Sequence, residues 1–193
     1  MKTIGIIGAG QMGAGIAHVS ALAGLDVLIH DVSEEAIESG LATISGNLAR
    51  QVSSEKITDE QRHAALERLS SAANIEALGV ADMVIEAATE SEDVKRTIYK
   101  AVCPVLSPTA ILATNTSSIS ITRLAAATDR PERFLGVHFM NPVPVMQLVE
   151  LVRGIATDDA TFQAAKGWLK LFASEKVAVM SVTRDTSHDS TFW

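Results

Sequence analysis

Cysteine is almost missing from this 193-residue sequence: Cys103 stands alone. That excludes an intrachain disulfide and suits a reducing compartment, so a cytoplasmic location is expected. Aromatic residues make up only 4% of the chain, which leaves a core built from Ala, Ile, Leu and Val. No apolar run approaches the ~20 residues that span a bilayer, and the first residues enter a strand-like segment without a signal-peptide pattern. Positive charge is also short. Sixteen Lys and Arg face 23 Asp and Glu, for a net charge of -7, which argues against a nucleic-acid or anionic-membrane partner. A phosphate-rich ligand would have to be met by local amides and lysines. Repeats and low-complexity tracts are absent, and no metal is expected.

What is present is concentrated at the start. Thr3-Ile4-Gly5-Ile6-Ile7 runs into Gly8-Ala9-Gly10-Gln11-Met12-Gly13, and a second apolar run, Val27-Leu28-Ile29, ends near Asp31. A lone GxGxxG is weak evidence; set between a strand and a helix, with a carboxylate about 20 residues on, it reads as a dinucleotide fingerprint. Gly8, Gly10 and Gly13 would supply a tight turn, room for a pyrophosphate and close helix–strand packing. The amides around Gln11 and Met12 would face the phosphates. A carboxylate at Asp31 can accept both adenosine ribose hydroxyls and would repel a 2′-phosphate. No arginine follows it, so NAD is expected over NADP.

The remaining pattern predicts an α/β fold: a doubly wound, mostly parallel Rossmann-type sheet of about eight short strands, with a helical insertion after the second strand. Strands are expected at 2–7, 27–30, 81–86, 110–113, 134–139, 145–152 and 176–180. Helices are expected at 11–23, 33–52, 58–69, 92–102, 119–126 and 158–173. Ser33 and the Thr58/Gln61 pair look like helix caps. The two helices between residues 33 and 69 exceed what a minimal βαβ unit needs and are expected to project and bind something. Asn115-Thr116-Ser117-Ser118 forms a polar patch at a strand's carboxyl end, where open α/β sheets place ligands.

Two polar residues stand out of place. His138 lies in Gly136-Val137-His138-Phe139-Met140 and Glu150 in Leu148-Val149-Glu150-Leu151-Val152. Burying an unpaired carboxylate is costly, so each could account for the other. A carboxylate fixes the tautomer of an adjacent imidazole and stabilises the ring once protonated, which suits proton exchange with an alcohol. The alternatives at this point are a satisfied core histidine and an edge-strand glutamate facing solvent. Ser117 and Ser118 could hold a substrate oxygen or cap the helix before Ile119.

Gly-Ala-Gly-Gln-Met-Gly (8–13), Glu-Ala-Ala-Thr-Glu (86–90), Asn-Thr-Ser-Ser-Ile-Ser-Ile-Thr (115–122) and Gly-Val-His-Phe-Met-Asn-Pro-Val-Pro-Val-Met (136–146) together resemble the 3-hydroxyacyl-CoA dehydrogenases, in particular those acting on 3-hydroxybutyryl-CoA. The resemblance runs from Met1 to about Val179. It implies hydride transfer between NAD and C3 of an (S)-3-hydroxyacyl-CoA, with His138 as general acid/base, Glu150 as its electrostatic partner and Ser117 on the substrate's 3-oxygen. It also implies cofactor contacts from Asp31, Glu90, Lys95 and Asn115. The excursion at about 45–69 would lie over the CoA moiety, with Lys56 a phosphate contact and Asn141 a further substrate contact.

Past Val179 the resemblance stops. The family continues with a Pro-Gly-Phe-(Ile/Val)-Xaa-Asn-Arg helix start and about a hundred helical residues, through which its members dimerise. Here residues 181–193 read instead as a disordered, aberrant tail after a 1–180 NAD-binding domain. The expectation is that NAD binding survives while turnover is weak or absent. Two other readings stay open: a non-catalytic NAD-binding fragment, and a different NAD-dependent hydroxyacid dehydrogenase.

Overall fold

Eight strands form one sheet in the order β3-β2-β1-β4-β5-β6-β7-β8 in the computed structural model, which describes residues 1–175 and 178–182. The strands are β1 (Thr3–Ile7), β2 (Asp26–His30), β3 (Leu69–Ser71), β4 (Met83–Glu86), β5 (Ile111–Thr114), β6 (Phe134–Phe139), β7 (Leu148–Arg153) and β8 (Ala178–Val182). Between them run α1 (Gln11–Leu22), α2 (Glu34–Ser53), α3 (Asp59–Glu67), α4 (Glu92–Val102), α5 (Ile121–Ala125) and α6 (Asp159–Leu169). From β3 to β6 all pairings are parallel; β7 turns back antiparallel to β6, and β8 follows β7 in parallel.

Alternation along each strand divides the core between two faces, as a doubly wound sheet requires. Ile4, Ile6, Ile29, Ile85, Val137 and Leu151 pack with residues of α1, α2 and α6. Val84, Leu112 and Phe134 pack with Tyr99, Val102 and Leu124 from α4 and α5 on the other.

The segment expected to project does not. α2 buries Ile37, Gly40, Ile44 and Leu48 along one face, and Ile57 and Ala65 belong to the same core. It is the crossover of a parallel β2–β3 unit, and its capping signals are realised. The Ser33 hydroxyl accepts from the Ala36 amide at 3.1 Å, and Thr58 with Gln61 forms a reciprocal capping box. β3 itself is absent from the sequence reading. Its three residues, Leu69-Ser70-Ser71, are too short and polar to show an alternation, and the helix expected to reach Leu69 ends at Glu67. β7 begins at Leu148 rather than Val145, because the amides of Val145 and Met146 both turn back to the Pro142 carbonyl. The last strand extends to Val182, two residues past the boundary drawn at 180. The rest of the expected tail, 183–193, lies outside the described residues.

α1 and α2 are joined by a polar contact inside their interface. His18 is fully buried, with Nε2 3.1 Å from Gln51 Oε1 and Nδ1 without a partner. Burial pushes its pKa below the usual 6.5, against a smaller opposing effect of the Gln51 hydrogen bond. The unfolded chain therefore binds the proton first. Stability is fully present above the unfolded value and falls as pH drops toward the folded one. Urea unfolding at roughly pH 7.5 and 5.5 should show a loss of stability in the wild type that His18→Asn reduces; equal losses in both would refute this assignment.

Candidate active site

Ile7, Glu86, Thr114 and Gly136 stand in one row across the parallel strands. The residues that follow them, at the carboxyl ends, build the site. Beyond β1 the three glycines differ in what a Cβ would meet. At Gly8, with φ +103°, it would lie 2.7 Å from the Ala87 carbonyl oxygen; at Gly13, 1.8 Å from that of Gly8. At Gly10 it would meet nothing within 4 Å. The first is a turn, the third a helix packed on the loop, and the second borders open space. Gly10 caps α1 without any side-chain acceptor for the amides that follow. Opposite, Asp31 Oδ2 accepts from the Ala9 amide at 2.7 Å and Oδ1 from Ser33 at 3.1 Å, so it fastens the loop to the end of β2. Open space, uncapped amides and a carboxylate at this spacing fit the diphosphate and ribose of a dinucleotide.

His138 and Glu150 are register partners across the antiparallel β6–β7 pair. Nδ1 of the imidazole lies 3.0 Å from Glu150 Oε2, and the two side chains are 17% and 12% exposed. Their neighbours Val137, Phe139, Val149 and Leu151 point into the α1/α6 core, so alternation carries both polar groups to the opposite face together. With Nδ1–H donating to the carboxylate, Nε2 is the nitrogen left to exchange a proton.

Glu90 organises the polar patch after β5. Its Oε1 accepts from the Thr116 hydroxyl (2.6 Å), the Ser117 and Ser118 amides (3.0 and 3.1 Å) and both serine hydroxyls (3.2 and 3.0 Å). Partial burial pushes its pKa up, but these hydrogen bonds and the Lys95 charge outweigh it and hold the carboxyl below its ordinary value. Ser117 is thus donated to Glu90, and neither it nor Ser118 caps the next helix. Ser120 does that, accepting from the Arg123 amide at 3.2 Å. Asn115 Oδ1 accepts from the Phe139 amide at 2.9 Å, which ties the end of β5 to β6 beside His138.

Lys95, expected near the nicotinamide ribose, is buried and lies 2.9 and 2.7 Å from the two oxygens of Glu86. Glu86 opens the Glu-Ala-Ala-Thr-Glu block and ends an otherwise apolar strand, Met83-Val84-Ile85-Glu86, but neither signal gives it a role.

A cavity of about 330 Å³ brings together Met12, Glu90, Lys95, Asn115, Ser117, His138 and Asn141. Asn141 also borders a second hollow of about 480 Å³ with Gly10, Gln11 and Ser39. Asn47 borders both that one and a third, about 630 Å³, whose polar lining includes Arg50, Gln51, Ser54 and Lys56. Lys56 is therefore in a different hollow from His138. Arg50 is a second cation there that the sequence reading did not single out.

Residues 3–184 match the family described as 3-hydroxyacyl-CoA dehydrogenase, NAD binding domain. The chain is 63% identical over 166 residues to the 3-hydroxybutyryl-CoA dehydrogenase of Bradyrhizobium diazoefficiens, covering 86% of this chain and 57% of the relative. It is 46% identical over 157 residues to the 3-hydroxyadipyl-CoA dehydrogenase of Escherichia coli, covering 81% and 33%. The crystal structure of (S)-3-hydroxybutyryl-CoA dehydrogenase from Ralstonia eutropha superposes with a TM-score of 0.90 at 44% identity, over 95% of this chain and 64% of that one. The chain thus spans less than two thirds of the length of these relatives.

Proposed function

The chain belongs to the 3-hydroxyacyl-CoA dehydrogenase family through its NAD-binding domain, and from that premise we propose that it serves the NAD-dependent interconversion of a 3-hydroxyacyl-CoA and its 3-oxo form. The four-carbon pair 3-hydroxybutyryl-CoA and acetoacetyl-CoA is the favoured substrate. The observation that carries this reading is the His138–Glu150 contact at 3.0 Å, with His138 on the wall of a cavity that Met12 of the glycine-rich motif also lines.

Bound NAD supplies the acceptor for the hydride leaving C3. The chain's own residues handle the rest. His138 Nε2 takes the hydroxyl proton, and Glu150 steadies the charge that then spreads over the ring. Ser117 would exchange its hydrogen bond to Glu90 for one to the 3-oxygen. Asp31 and the amides after Gly10 fix the other end of the dinucleotide. The cations Arg50 and Lys56, in a hollow apart from the one at Gly10, suit the phosphates of a CoA thioester.

The test pairs titration with NADH and NADPH and a measurement of NADH oxidation on adding acetoacetyl-CoA or free acetoacetate. NADH should bind at least about tenfold more tightly than NADPH because of Asp31, and whatever turnover the chain has should be confined to the thioester. Equal use of free acetoacetate would favour another hydroxyacid dehydrogenase. Failure to bind NADH would remove the proposal altogether.

A further inference from the structure

Beneath the His138 cavity lies an ion pair that the proton path does not use. Glu86 and Lys95 are 0% and 1% exposed. The Glu86 carboxylate accepts two hydrogen bonds from Lys95 and one each from the Tyr99 phenol (3.1 Å), the Thr114 hydroxyl (2.7 Å) and the Ala88 amide (2.8 Å). A buried pair of this kind is a poor source of stability, since well-packed apolar groups of similar volume commonly do as well. Its position suggests another use. Lys95 lines the cavity together with Glu90, Asn115, Ser117 and His138, while Glu86 sits behind it, 2.7 Å away. Glu150 is behind His138 and does not line the cavity. With Lys95 ion-paired from below, Glu90 is a wall carboxylate held by hydrogen bonds and, among the described residues, without an ion-pair partner of its own. The nicotinamide ring is cationic when oxidised and neutral when reduced.

We infer that Glu86 is a positioning residue that sets the balance between oxidised and reduced cofactor: by cancelling the Lys95 charge it leaves the cavity wall anionic and favours the cationic ring. This rests on the reading that the nicotinamide occupies the His138 cavity. Glu86 does not line the cavity. It acts through Lys95 and, by holding the Ala88 amide, through the segment that carries Glu90.

Dissociation constants for NAD⁺, NADH and ADP-ribose test it on wild type, Glu86→Gln, Lys95→Gln and the double variant. Glu86→Gln should raise the ratio of the NAD⁺ to the NADH constant about tenfold, as for one unit charge roughly 10 Å away at an effective dielectric of about 20. Lys95→Gln should lower the ratio, and the double variant should restore it to within about twofold. ADP-ribose, which lacks the ring, should bind all folded variants alike and so reports folding. If one single variant fails to fold, the other, with its opposite sign, decides. Equal weakening of NAD⁺ and NADH, or a double variant whose ratio is not restored, overturns the inference and leaves the functional reading standing. A wild-type chain that binds ADP-ribose but neither nicotinamide form overturns both.

Discussion

Replacing His138 with Gln is expected to slow acetoacetyl-CoA reduction by about 10³-fold, within the range for loss of a positioned general acid. NADH affinity should stay within about twofold of wild type. The two effects separate because of where the imidazole stands. Nδ1 is bound to Glu150 and Nε2 carries the proton, whereas the adenosine end is held by Asp31 and the loop at Gly8–Gly13. Glu150→Gln should show the same ordering with a smaller loss, about 10- to 100-fold, since an amide can still accept from Nδ1–H but no longer balances a charged ring. Steady-state turnover and NADH titration on the two variants check this. A fall in NADH binding that matches the fall in turnover would remove His138 from the proton path.

Two glycines three residues apart should fail in opposite ways. Gly13→Ala places its Cβ 1.8 Å from the Gly8 carbonyl oxygen, a backbone atom that can move only if α1 leaves the loop. The expected loss is about 3 kcal/mol or more, at the upper end for overpacking, read by urea unfolding. Gly10→Ala meets no protein atom within 4 Å, so the apo chain should keep its stability. The added methyl instead intrudes on the space reserved for the diphosphate, and NADH affinity should fall about tenfold or more. Unchanged NADH binding in Gly10→Ala would mean that the diphosphate lies elsewhere.

The parts of the site readable from the sequence were those whose chemistry and spacing are both local. The glycine loop needs only its own six residues and the strand before it. His138 and Glu150 are visible because each breaks an apolar alternation, and in β6 and β7 that alternation sets the face. What stayed hidden depends on partners brought together by the fold. Glu86 terminates an apolar strand, and its ligands Lys95, Tyr99 and Thr114 come from a helix turn and a neighbouring strand, so no window of sequence contains the set. Arg130 is the same case on a structural scale. In the sequence it is one charged residue in a turn, yet it is buried and donates to the carbonyls of Cys103 (2.9 Å) and Ser107 (2.7 Å). β3 carries no sequence signal because three residues show no periodicity, and without it the crossover reads as a projecting segment.

The antiparallel return of β7 on β6 also bears on how the chain assembles. His138 and Glu150 are 12 residues apart, whereas Glu90 and Thr116 are 26 apart and reach each other only after a full helical crossover. Closing the shorter loop sacrifices less chain entropy, and a hairpin forms within about 1–10 μs. The imidazole and its carboxylate can therefore meet before the parallel strands are in register, leaving the nucleotide end of the cleft as the slower part to mature.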